Sequence, residues 1–225
     1  MVTEERPSLL LERSVVSPGS LVVGLDEVGR GSLAGPLVVG AVVVDPWGEE
    51  PPPGLDDSKR LSALRRERLV PLLTSWCHAW SLGWVGADEI DQWGMRWALA
   101  VAAQRALESL SREPDFALVD GSFNFLRGPA AQPFCETSPP QLTFENLPAR
   151  CVVKGDRVSA AIAAAAVLAK VERDEYMTAL SPTFPDYGWA ANKGYGSSDH
   201  MEALAATGPS PHHRLSWALP ARRRP

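Results

Sequence analysis

Short apolar runs alternate with polar and glycine-rich segments along the 225 residues of this chain. Apolar runs of roughly four to eight residues, bounded by turn formers, are typical of buried strands. Two such runs flank a glycine-rich bend at 24–36, and three more follow further along the chain. The pattern therefore predicts strands at 21–23, 37–44, 76–85, 115–121 and 150–156.

Helical patterns separate these strands. Ser62 is a candidate N-cap for a helix that reaches about residue 73, and Gly94 interrupts a second helical pattern over 87–111. A third segment, 159–179, is rich in alanine, and its small side chains would let a helix lie flush on a sheet. Because strands and helices alternate, we predict an α/β sheet covered by helices on both faces.

Three stretches fall outside this alternation. Residues 1–19 are polar and contain two prolines, so we expect a loosely held arm there. Residues 45–54 are rich in turn formers and predict a connector. After residue 121 a proline-rich loop or hairpin of about 25 residues leads to the last predicted strand.

Carboxylates stand where three of the predicted strands end. The strand ends of an open α/β sheet border its binding crevice, so these acids are expected to converge. Acids placed against a core require a cation, because an unpaired buried charge is costly. Hard divalent ions prefer carboxylate oxygens, and a pair of them suits phosphodiester hydrolysis. The sequence therefore predicts a site for two Mg²⁺ or Mn²⁺ ions, with four acids as ligands: Asp26, Glu27, Asp120 and Asp156.

The glycine-rich bend adds groups that suit a phosphate. Gly29 and Gly31 flank Arg30, so backbone amides can approach a ligand closely beside a guanidinium. Taken alone, Asp-Glu followed by glycine is also ordinary turn composition. A dinucleotide-binding loop is rejected, because the residues after Pro36 are strand-like where that fingerprint requires a helix N-terminus.

A further acid, Asp174, competes with Asp156 for the fourth place among the ligands. In a continuous helix from Ser159 it lies about 22 Å along the axis, at roughly 1.5 Å per residue. The two acids therefore cannot share one metal pair. We choose Asp156, which precedes a helix N-terminus where the dipole favours phosphate, and interpret Asp174 as an ion-pair partner.

The net charge of −5 is unusual for a protein that binds nucleic acid, because phosphate neutralisation normally requires a basic face. Assigning four acids to bound metal removes most of this negative charge. Two local basic patches remain, and we interpret the C-terminal one as a solvated face. They comprise Arg60, Arg65, Arg66 and Arg68, and Arg222, Arg223 and Arg224.

Cysteine usage and the absence of targeting signals indicate the compartment. The three cysteines, Cys77, Cys135 and Cys151, are widely spaced and form neither a disulfide framework nor a zinc pattern, which suits a reducing cytoplasm. No apolar run approaches the length of a membrane span, and the N-terminus lacks the order of a signal peptide. His212 and His213 are interpreted as a C-terminal surface or capping pair rather than metal ligands.

These stretches, with several shorter motifs, resemble bacterial ribonuclease HII, the type 2 ribonuclease H. They occur in the family's order over residues 22–217, and the combination is highly specific. The related type 3 enzyme usually has a longer N-terminal domain and lacks the Gly-Arg-Gly form, so type 2 fits better. The motifs are Asp26-Glu-Val-Gly-Arg-Gly31, Ala34-Gly-Pro36, Asp57-Ser-Lys59, Val119-Asp-Gly121, Val153-Lys-Gly-Asp156, Ala169-Lys-Val-Glu-Arg-Asp174, Asn192-Lys-Gly-Tyr195 and His213-Arg214.

The resemblance implies a ribonuclease H-like fold, with a mixed five-stranded sheet flanked by helices and a small C-terminal helical extension. It divides the chain into an N-terminal arm (1–19), a catalytic domain (20–180) and a C-terminal extension with its tail (181–225). It implies the four acids above as catalytic, metal-binding carboxylates. It also implies a set of substrate-binding residues, of which the last two lie near the substrate backbone: Gly29, Arg30, Gly31, Tyr195, Lys59 and Lys154.

The activity implied is that of an endonuclease that cleaves the RNA strand of RNA–DNA hybrids. We also predict incision 5′ of a single ribonucleotide embedded in duplex DNA, leaving 3′-hydroxyl and 5′-phosphate ends. The 2′-hydroxyl is the group that separates ribose from deoxyribose, and the glycine-rich loop and Tyr195 are expected to read it. We expect a cytoplasmic monomer with no membrane partner.

This sequence departs from the family pattern in two places. Ala166 occupies a position in the alanine-rich helix where the family often has serine, so a polar contact there is missing. The sequence also contains no Gln-x-x-Leu-x-x-Phe-Phe motif, so sliding-clamp binding has no support from the sequence.

Two functions of other classes stay open at this point. A non-catalytic nucleic-acid binding module would bind hybrids tightly in EDTA without cleaving them, although four acids facing phosphates would weaken it. A metal-dependent phosphatase would act on small phosphate esters and ignore duplexes. Cleavage of a duplex that carries one ribonucleotide would distinguish a ribonuclease from both of these alternatives.

Overall fold

The structure, a computed structural model, describes residues 6–129 and 138–220. Its centre is a five-stranded sheet formed by β1 (Val22–Val28), β2 (Leu37–Val44), β3 (Ala79–Val85), β4 (Phe116–Asp120) and β5 (Ala149–Val152). The order across the sheet is β3-β2-β1-β4-β5. The β1–β2 and β2–β3 pairs are antiparallel, and the β1–β4 and β4–β5 pairs are parallel. The predicted mixed α/β sheet is therefore confirmed.

Six helices accompany the sheet in the described ranges, together with short 3-10 turns. They are α1 (Leu10–Val15), α2 (Ala63–Trp76), α3 (Ala87–Glu108), α4 (Ala160–Leu180), α5 (Trp189–Asn192) and α6 (Ser198–Thr207). The side chains of Ser62 and Ser159 cap α2 and α4 by accepting backbone hydrogen bonds from Arg65 and Ile162. Gly94 has φ 75° and kinks α3, as predicted.

The helices pack in layers on the two faces of the sheet. The kinked α3 contributes most of the helical residues to one buried cluster, and α4 with α2 contributes most of those to the other. A Cβ built on Gly24 of β1 would collide with the backbone of Ala161, and one on Gly40 of β2 would meet the carbonyl of Ala165. The alanine-rich helix therefore lies flush on β1 and β2, because glycine in the strands and alanine in the helix leave room for this approach.

The main differences from the predicted strands lie at their ends. β3 begins at Ala79 rather than residue 76, because α2 continues through Trp76. β5 ends at Val152, and Lys154 then adopts a left-handed conformation with φ 57°. Asp156 is therefore delivered by a 3-10 turn, Gly155–Arg157, and the prediction that a strand carries it was wrong.

The prediction of a loosely held arm is wrong for residues 6–16. Leu9 is fully buried within the cluster beneath α4. Ser8 forms a parallel bridge with Ser159, in which its amide donates to the carbonyl of Val158 and its carbonyl accepts from the amide of Ala160. Glu12 is buried and accepts hydrogen bonds from Ser159 Oγ at 2.6 Å and Ala161 N at 3.0 Å. The segment is therefore held in place by a buried leucine and by an acid that binds the N-terminus of α4.

The C-terminal part forms a small helical unit with its own apolar cluster. Its buried members include Ala34, Met177, Tyr187, Trp189 and Leu204. Of the loop after β4, the described parts contain a 3-10 turn at Phe125–Arg127 and no strand. Cys135 and the arginines at 222–224 lie outside the described residues. No helix within the described ranges is both long enough and apolar enough to span a membrane.

The flush contact between α4 and β1 leads to a prediction about stability. Gly24→Ala places a methyl group against the backbone of Ala161, which cannot yield as a flexible side chain would. We expect the free energy of unfolding to fall by about 1–3 kcal/mol, measured by urea denaturation. Gly31→Ala is the matched control, because a Cβ there meets nothing within 4 Å. Equal stability of the two variants would contradict the close packing.

Candidate active site

Three carboxylates converge where β1 and β4 run side by side. Asp26 and Glu27 belong to β1, and Asp120 is the last residue of β4. Because the two strands are parallel neighbours, these acids lie at the same end of the sheet, where both strands finish. Their oxygens lie within 4.8 Å of one another. Asp26 is buried, and the other two are partly accessible. The expected convergence of Asp26, Glu27 and Asp120 is therefore seen in the structure.

Asp156 lies beside this group but is not one of the three mutually close acids. Its turn is tied to β4, because the amide of Gly155 donates to Asp120 Oδ1 at 2.7 Å. Its carboxyl is buried and contacts Asp57, which accepts hydrogen bonds from Lys59 N at 2.9 Å and Arg157 Nε at 3.3 Å. Asp57 belongs to the Asp57-Ser-Lys59 motif, from which no role for this residue was predicted.

Burial and mutual repulsion raise the pKa values of Asp26, Glu27 and Asp156. Burial raises the pKa of Asp26 well above its ordinary value, and the charges of Glu27 and Asp120 add to the effect. Burial also raises the pKa of Glu27, although Arg30 partly offsets it. The pKa of Asp156 rises to about 6 through burial and then the charges of Asp57 and Asp120. A cation would relieve all of these interactions.

The residues fit a divalent ion. The donor set consists of carboxylate oxygens alone, which is the chemistry of Mg²⁺ and Mn²⁺ sites. Lys59 is a nearby cation: burial works against its charge, but the surrounding acids, Asp26 first among them, outweigh burial and raise its pKa. Lys59 and Arg30 compensate only part of the negative charge of the cluster, because the pKa values of Asp26 and Glu27 stay raised beside them.

A cleft of about 400 Å³ opens above the acids. It brings together most of the residues predicted to bind substrate. Ala166 also lines it, so the position that departs from the family pattern faces the site. Lys154 is exposed on the turn after β5 and does not line the cleft. The lining residues include Asp26, Glu27, Gly29, Arg30, Gly31, Ser58, Lys59, Lys170 and Tyr195.

The glycine-rich loop after β1 forms one wall of the cleft. Gly29 has φ 84°, and a Cβ there would collide with the guanidinium of Arg173. Its amide donates to the hydroxyl of Tyr195 at 3.2 Å, so this tyrosine is a half-buried wall residue rather than part of a core. Arg30 is exposed, with its guanidinium 3.4 Å from Glu27. The loop and Tyr195 are thus directly connected.

Two interpretations of residues outside the acid cluster are settled by their contacts. Asp174 binds Lys170 at 2.6 Å and lies 3.9 Å from Arg66, which confirms its role as an ion-pair partner. The surface or capping role of His213 is wrong. It is buried, its Nε2 lies 3.0 Å from Nε2 of His200, and burial lowers its pKa to about 4. Aromatic packing around Trp189 explains this burial.

The sequence analysis missed two buried arginines behind the loop. Arg214 donates to the backbone carbonyls of Gly29 at 2.6 Å, Arg30 at 2.9 Å and Gly35 at 3.1 Å. Arg173 donates to the carbonyls of Pro36, Ala34 and Lys193 and to Ser32 Oγ. Both arginines stood in the quoted motifs, but nothing in a linear motif shows that a cation is buried.

The mixed sheet, its covering helices and the acid cluster at the edge of β1 and β4 define a hydrolase of the ribonuclease H-like class. The family model described as Ribonuclease HII matches residues 23–219. The chain belongs to the ribonuclease HII family. It is therefore a type 2 ribonuclease H, an endonuclease that acts on RNA–DNA hybrids.

Curated relatives extend over almost the whole chain. Ribonuclease HII of Streptomyces avermitilis is 42% identical over 216 residues, which is 95% of this chain and 84% of the relative. Ribonuclease HII of Nitrosococcus oceani is 42% identical over 218 residues, 96% of this chain and 98% of the relative. The chain thus corresponds to nearly the full length of these enzymes.

Solved structures show the same fold. Ribonuclease H2 from Pyrococcus horikoshii OT3 aligns with a TM-score of 0.67 and 25% identity, covering 88% of this chain and 94% of that one. Ribonuclease HII of Archaeoglobus fulgidus, solved in complex with PCNA, gives 0.62 at 24% identity, covering 90% and 98%. Bst-RNase HIII, solved with Mn²⁺, gives 0.64 at 23% identity, covering 90% and 68%.

The raised acid pKa values predict how metal-free stability depends on pH. A raised folded-state pKa means that the native protein holds a proton at a pH where the unfolded chain has released it. The contribution of these acids to stability in EDTA should therefore rise as pH falls from neutral towards their folded-state pKa values. Asp26→Asn removes one such charge and should raise the free energy of unfolding at pH 7.5 by about 0.5–2 kcal/mol.

The matched control is Asp174→Asn, the same change at an acid held in ion pairs. We expect it to lower the free energy of unfolding, by about 0.3–1 kcal/mol. Thermal and urea unfolding in EDTA at several pH values would measure both variants. A destabilised Asp26→Asn protein would show that this carboxylate is not strained in the absence of a cation.

Proposed function

We propose that this ribonuclease HII uses two divalent ions, Mn²⁺ or Mg²⁺, to incise 5′ of a ribonucleotide embedded in duplex DNA. The products would carry 3′-hydroxyl and 5′-phosphate ends, and RNA in longer hybrids is cut by the same site. The observation that carries the proposal is that Asp26 and Glu27, two of the three close carboxylates, line the same cleft as the loop joined to Tyr195. The first suits phosphodiester hydrolysis and the second suits recognition of ribose.

The proposed ligands are Asp26, Glu27, Asp120 and Asp156. Asp26 and Asp120 stand on adjacent strands, and the turn of Asp156 is joined to Asp120 through the amide of Gly155. Bound divalent ions activate a water and neutralise charge on the phosphate in such sites. The Mn²⁺ of the Bst protein belongs to that structure. For this chain the proposal rests on the set of carboxylates and on the raised pKa of Asp26, which burial and the neighbouring acids cause.

Selectivity is assigned to the loop and the tyrosine. The 2′-hydroxyl is both donor and acceptor, so a group that reads it needs fixed polar atoms at close range. Gly31 is exposed and leaves open space beside its α carbon, which allows a sugar to approach the backbone. Arg30 adds an exposed guanidinium for phosphate. Tyr195 offers a hydroxyl and a ring face on the same wall.

Two lysines are proposed to contact the substrate backbone at different distances from the acids. Lys59 lines the cleft and is held charged by the surrounding carboxylates, which suits a contact near the scissile phosphate. Lys154 lies on the exposed turn before Asp156. We assign it a phosphate further along the duplex, since the structure does not bring it into the cleft.

The same proposal covers organisation and location. We retain the division at residues 19 and 180, with residues 6–16 packed against the catalytic unit. A monomer acting in the cytoplasm remains our expectation. We do not propose that this chain binds a sliding clamp as the Archaeoglobus enzyme binds PCNA, because its sequence contains no Gln-x-x-Leu-x-x-Phe-Phe motif.

Asp120→Asn tests the acid cluster. We expect it to abolish nicking of a duplex that carries one ribonucleotide, while duplex binding stays within about threefold, because the side chain keeps its shape and loses only its charge. Gel analysis of end-labelled DNA with Mg²⁺, Mn²⁺ or EDTA would measure both. Asp186→Asn, at an exposed acid in the C-terminal unit, is the control and should cleave normally. Retained nicking by the Asp120 variant would remove that residue from the site.

Tyr195→Phe tests the tyrosine. The ring remains while the hydroxyl that accepts from Gly29 is lost. We expect kcat/KM on the ribonucleotide-containing duplex to fall roughly tenfold, the value of one good hydrogen bond. Tyr176→Phe is the control, since that tyrosine is exposed and contacts Trp84. Steady-state kinetics on both proteins would decide, and unchanged kinetics for Tyr195→Phe would assign the tyrosine a packing role.

A further inference from the structure

Two buried guanidiniums lie behind the glycine-rich loop. Arg173 and Arg214 are both 0% exposed. Among the residues that the structure describes, neither forms a salt bridge within 4.0 Å, although both carry a charge that water would solvate far better. Burial lowers the pKa of Arg214 to about 10, and Arg173 is a nearby like charge that adds to the effect. Two desolvated cations at one place are costly, so their contacts need a physical explanation.

The contacts fix the carbonyl groups of one loop. Arg214 spans neighbouring peptides, with Nη2 donating to the carbonyl of Gly29 and Nη1 to that of Arg30. Arg173 holds the other half of the loop through the carbonyls of Ala34 and Pro36. Ser32 Oγ joins the two halves, since it accepts from Arg173 and donates to the carbonyl of Gly29.

Planar peptide geometry then determines where the loop amides point. In a trans peptide the C=O and N–H groups project in opposite directions, and this structure has no cis bond in its described residues. With the carbonyls of Gly29 and Arg30 turned towards Arg214, the amides of Arg30 and Gly31 must point away from it. Neither amide has an acceptor within the part of the chain that the structure describes. Both residues line the cleft.

We propose that Arg214 is a positioning residue for ribose selectivity. By binding two consecutive carbonyls from behind, it aims the amides of Arg30 and Gly31 into the cleft, where they donate to the sugar and phosphate of the ribonucleotide. This inference rests on the proposed role of the loop in substrate recognition. Arg214 does not touch the substrate, and its effect reaches the cleft through the backbone.

The geometry requires an arginine at this position. A guanidinium offers several donors in one rigid plane, so it can hold two adjacent peptides in a fixed relative orientation, whereas a lysine presents a single nitrogen. Trp217 packs on the guanidinium at 5.0 Å and helps to hold its plane. Arg214→Lys therefore keeps the charge and removes the fork.

The experiment compares the binding of two duplexes to the full chain in EDTA, by fluorescence anisotropy. One duplex carries a single ribonucleotide, and the other is all DNA of the same sequence. For Arg214→Lys we expect the Kd of the ribonucleotide duplex to rise roughly tenfold, while the Kd of the DNA duplex stays within about twofold. Loss of folded protein would raise both Kd values by the same factor, so the Kd of the DNA duplex divided by that of the ribonucleotide duplex isolates positioning.

Two further variants make the test decisive. Ser32→Ala loosens the same loop without removing a buried charge, and should lower the ratio in the same direction by a smaller factor. Arg105→Lys removes an equivalent fork on α3, where Arg105 binds Glu89 and the carbonyl of Trp84, and should leave the ratio unchanged. Thermal unfolding would show that each variant is folded at the assay temperature.

The outcomes separate this inference from the proposed function. A wild-type protein that discriminates between the duplexes, with Arg214→Lys and Ser32→Ala discriminating equally well, would overturn the positioning role alone. A wild-type protein that neither discriminates between the duplexes nor nicks the ribonucleotide would overturn the proposed function and this inference together. A lowered ratio in both loop variants, with Arg105→Lys unaffected, supports the assignment.

Discussion

Repulsion among carboxylates that are withdrawn from water is the constraint on which the rest of this structure depends. Asp26, Glu27 and Asp120 are held within 4.8 Å of one another, and burial is the largest cause of the raised pKa of the first two. No local sequence preference would assemble such a group. The surrounding fold must therefore supply enough packing energy to hold the acids together until a cation neutralises them.

That packing energy comes from the close contact between helices and sheet. The alanine-rich face of α4 approaches β1 and β2 so closely that Gly24 and Gly40 cannot carry side chains. This contact holds β1 and β2 against α4, and β4 is paired with β1. The acids on β1 and β4 are therefore held in fixed positions. Ala166 belongs to the same helix and lines the cleft.

Much of the fold could be predicted from the sequence because its signals are local. Apolar runs marked all five strands, Ser62 and Ser159 marked helix starts, and Gly94 marked a kink. The convergence of Asp26, Glu27 and Asp120 could also be predicted, because adjacent parallel strands finish at the same end of the sheet. The family resemblance then supplied the candidate role of Tyr195.

The parts that were missed depend on contacts between distant segments. Glu12 was counted as part of a polar arm because its partners, at 159–161, are remote in the chain. His213 was placed at the surface because nothing near it in sequence reveals Trp189 and His200 around it. Arg173 and Arg214 were passed over because arginine is normally a surface residue, and only the fold shows which carbonyls they bind.

The contact between Arg214 and the loop after β1 joins residues 185 positions apart. During synthesis, all four acids have been made once residue 156 is added, but the support for the loop is made almost sixty residues later. Of the two parts of the site, the one proposed to select the substrate is therefore completed last. A chain that ends prematurely between these points would carry the four acids without the arginine that binds the carbonyls of the loop.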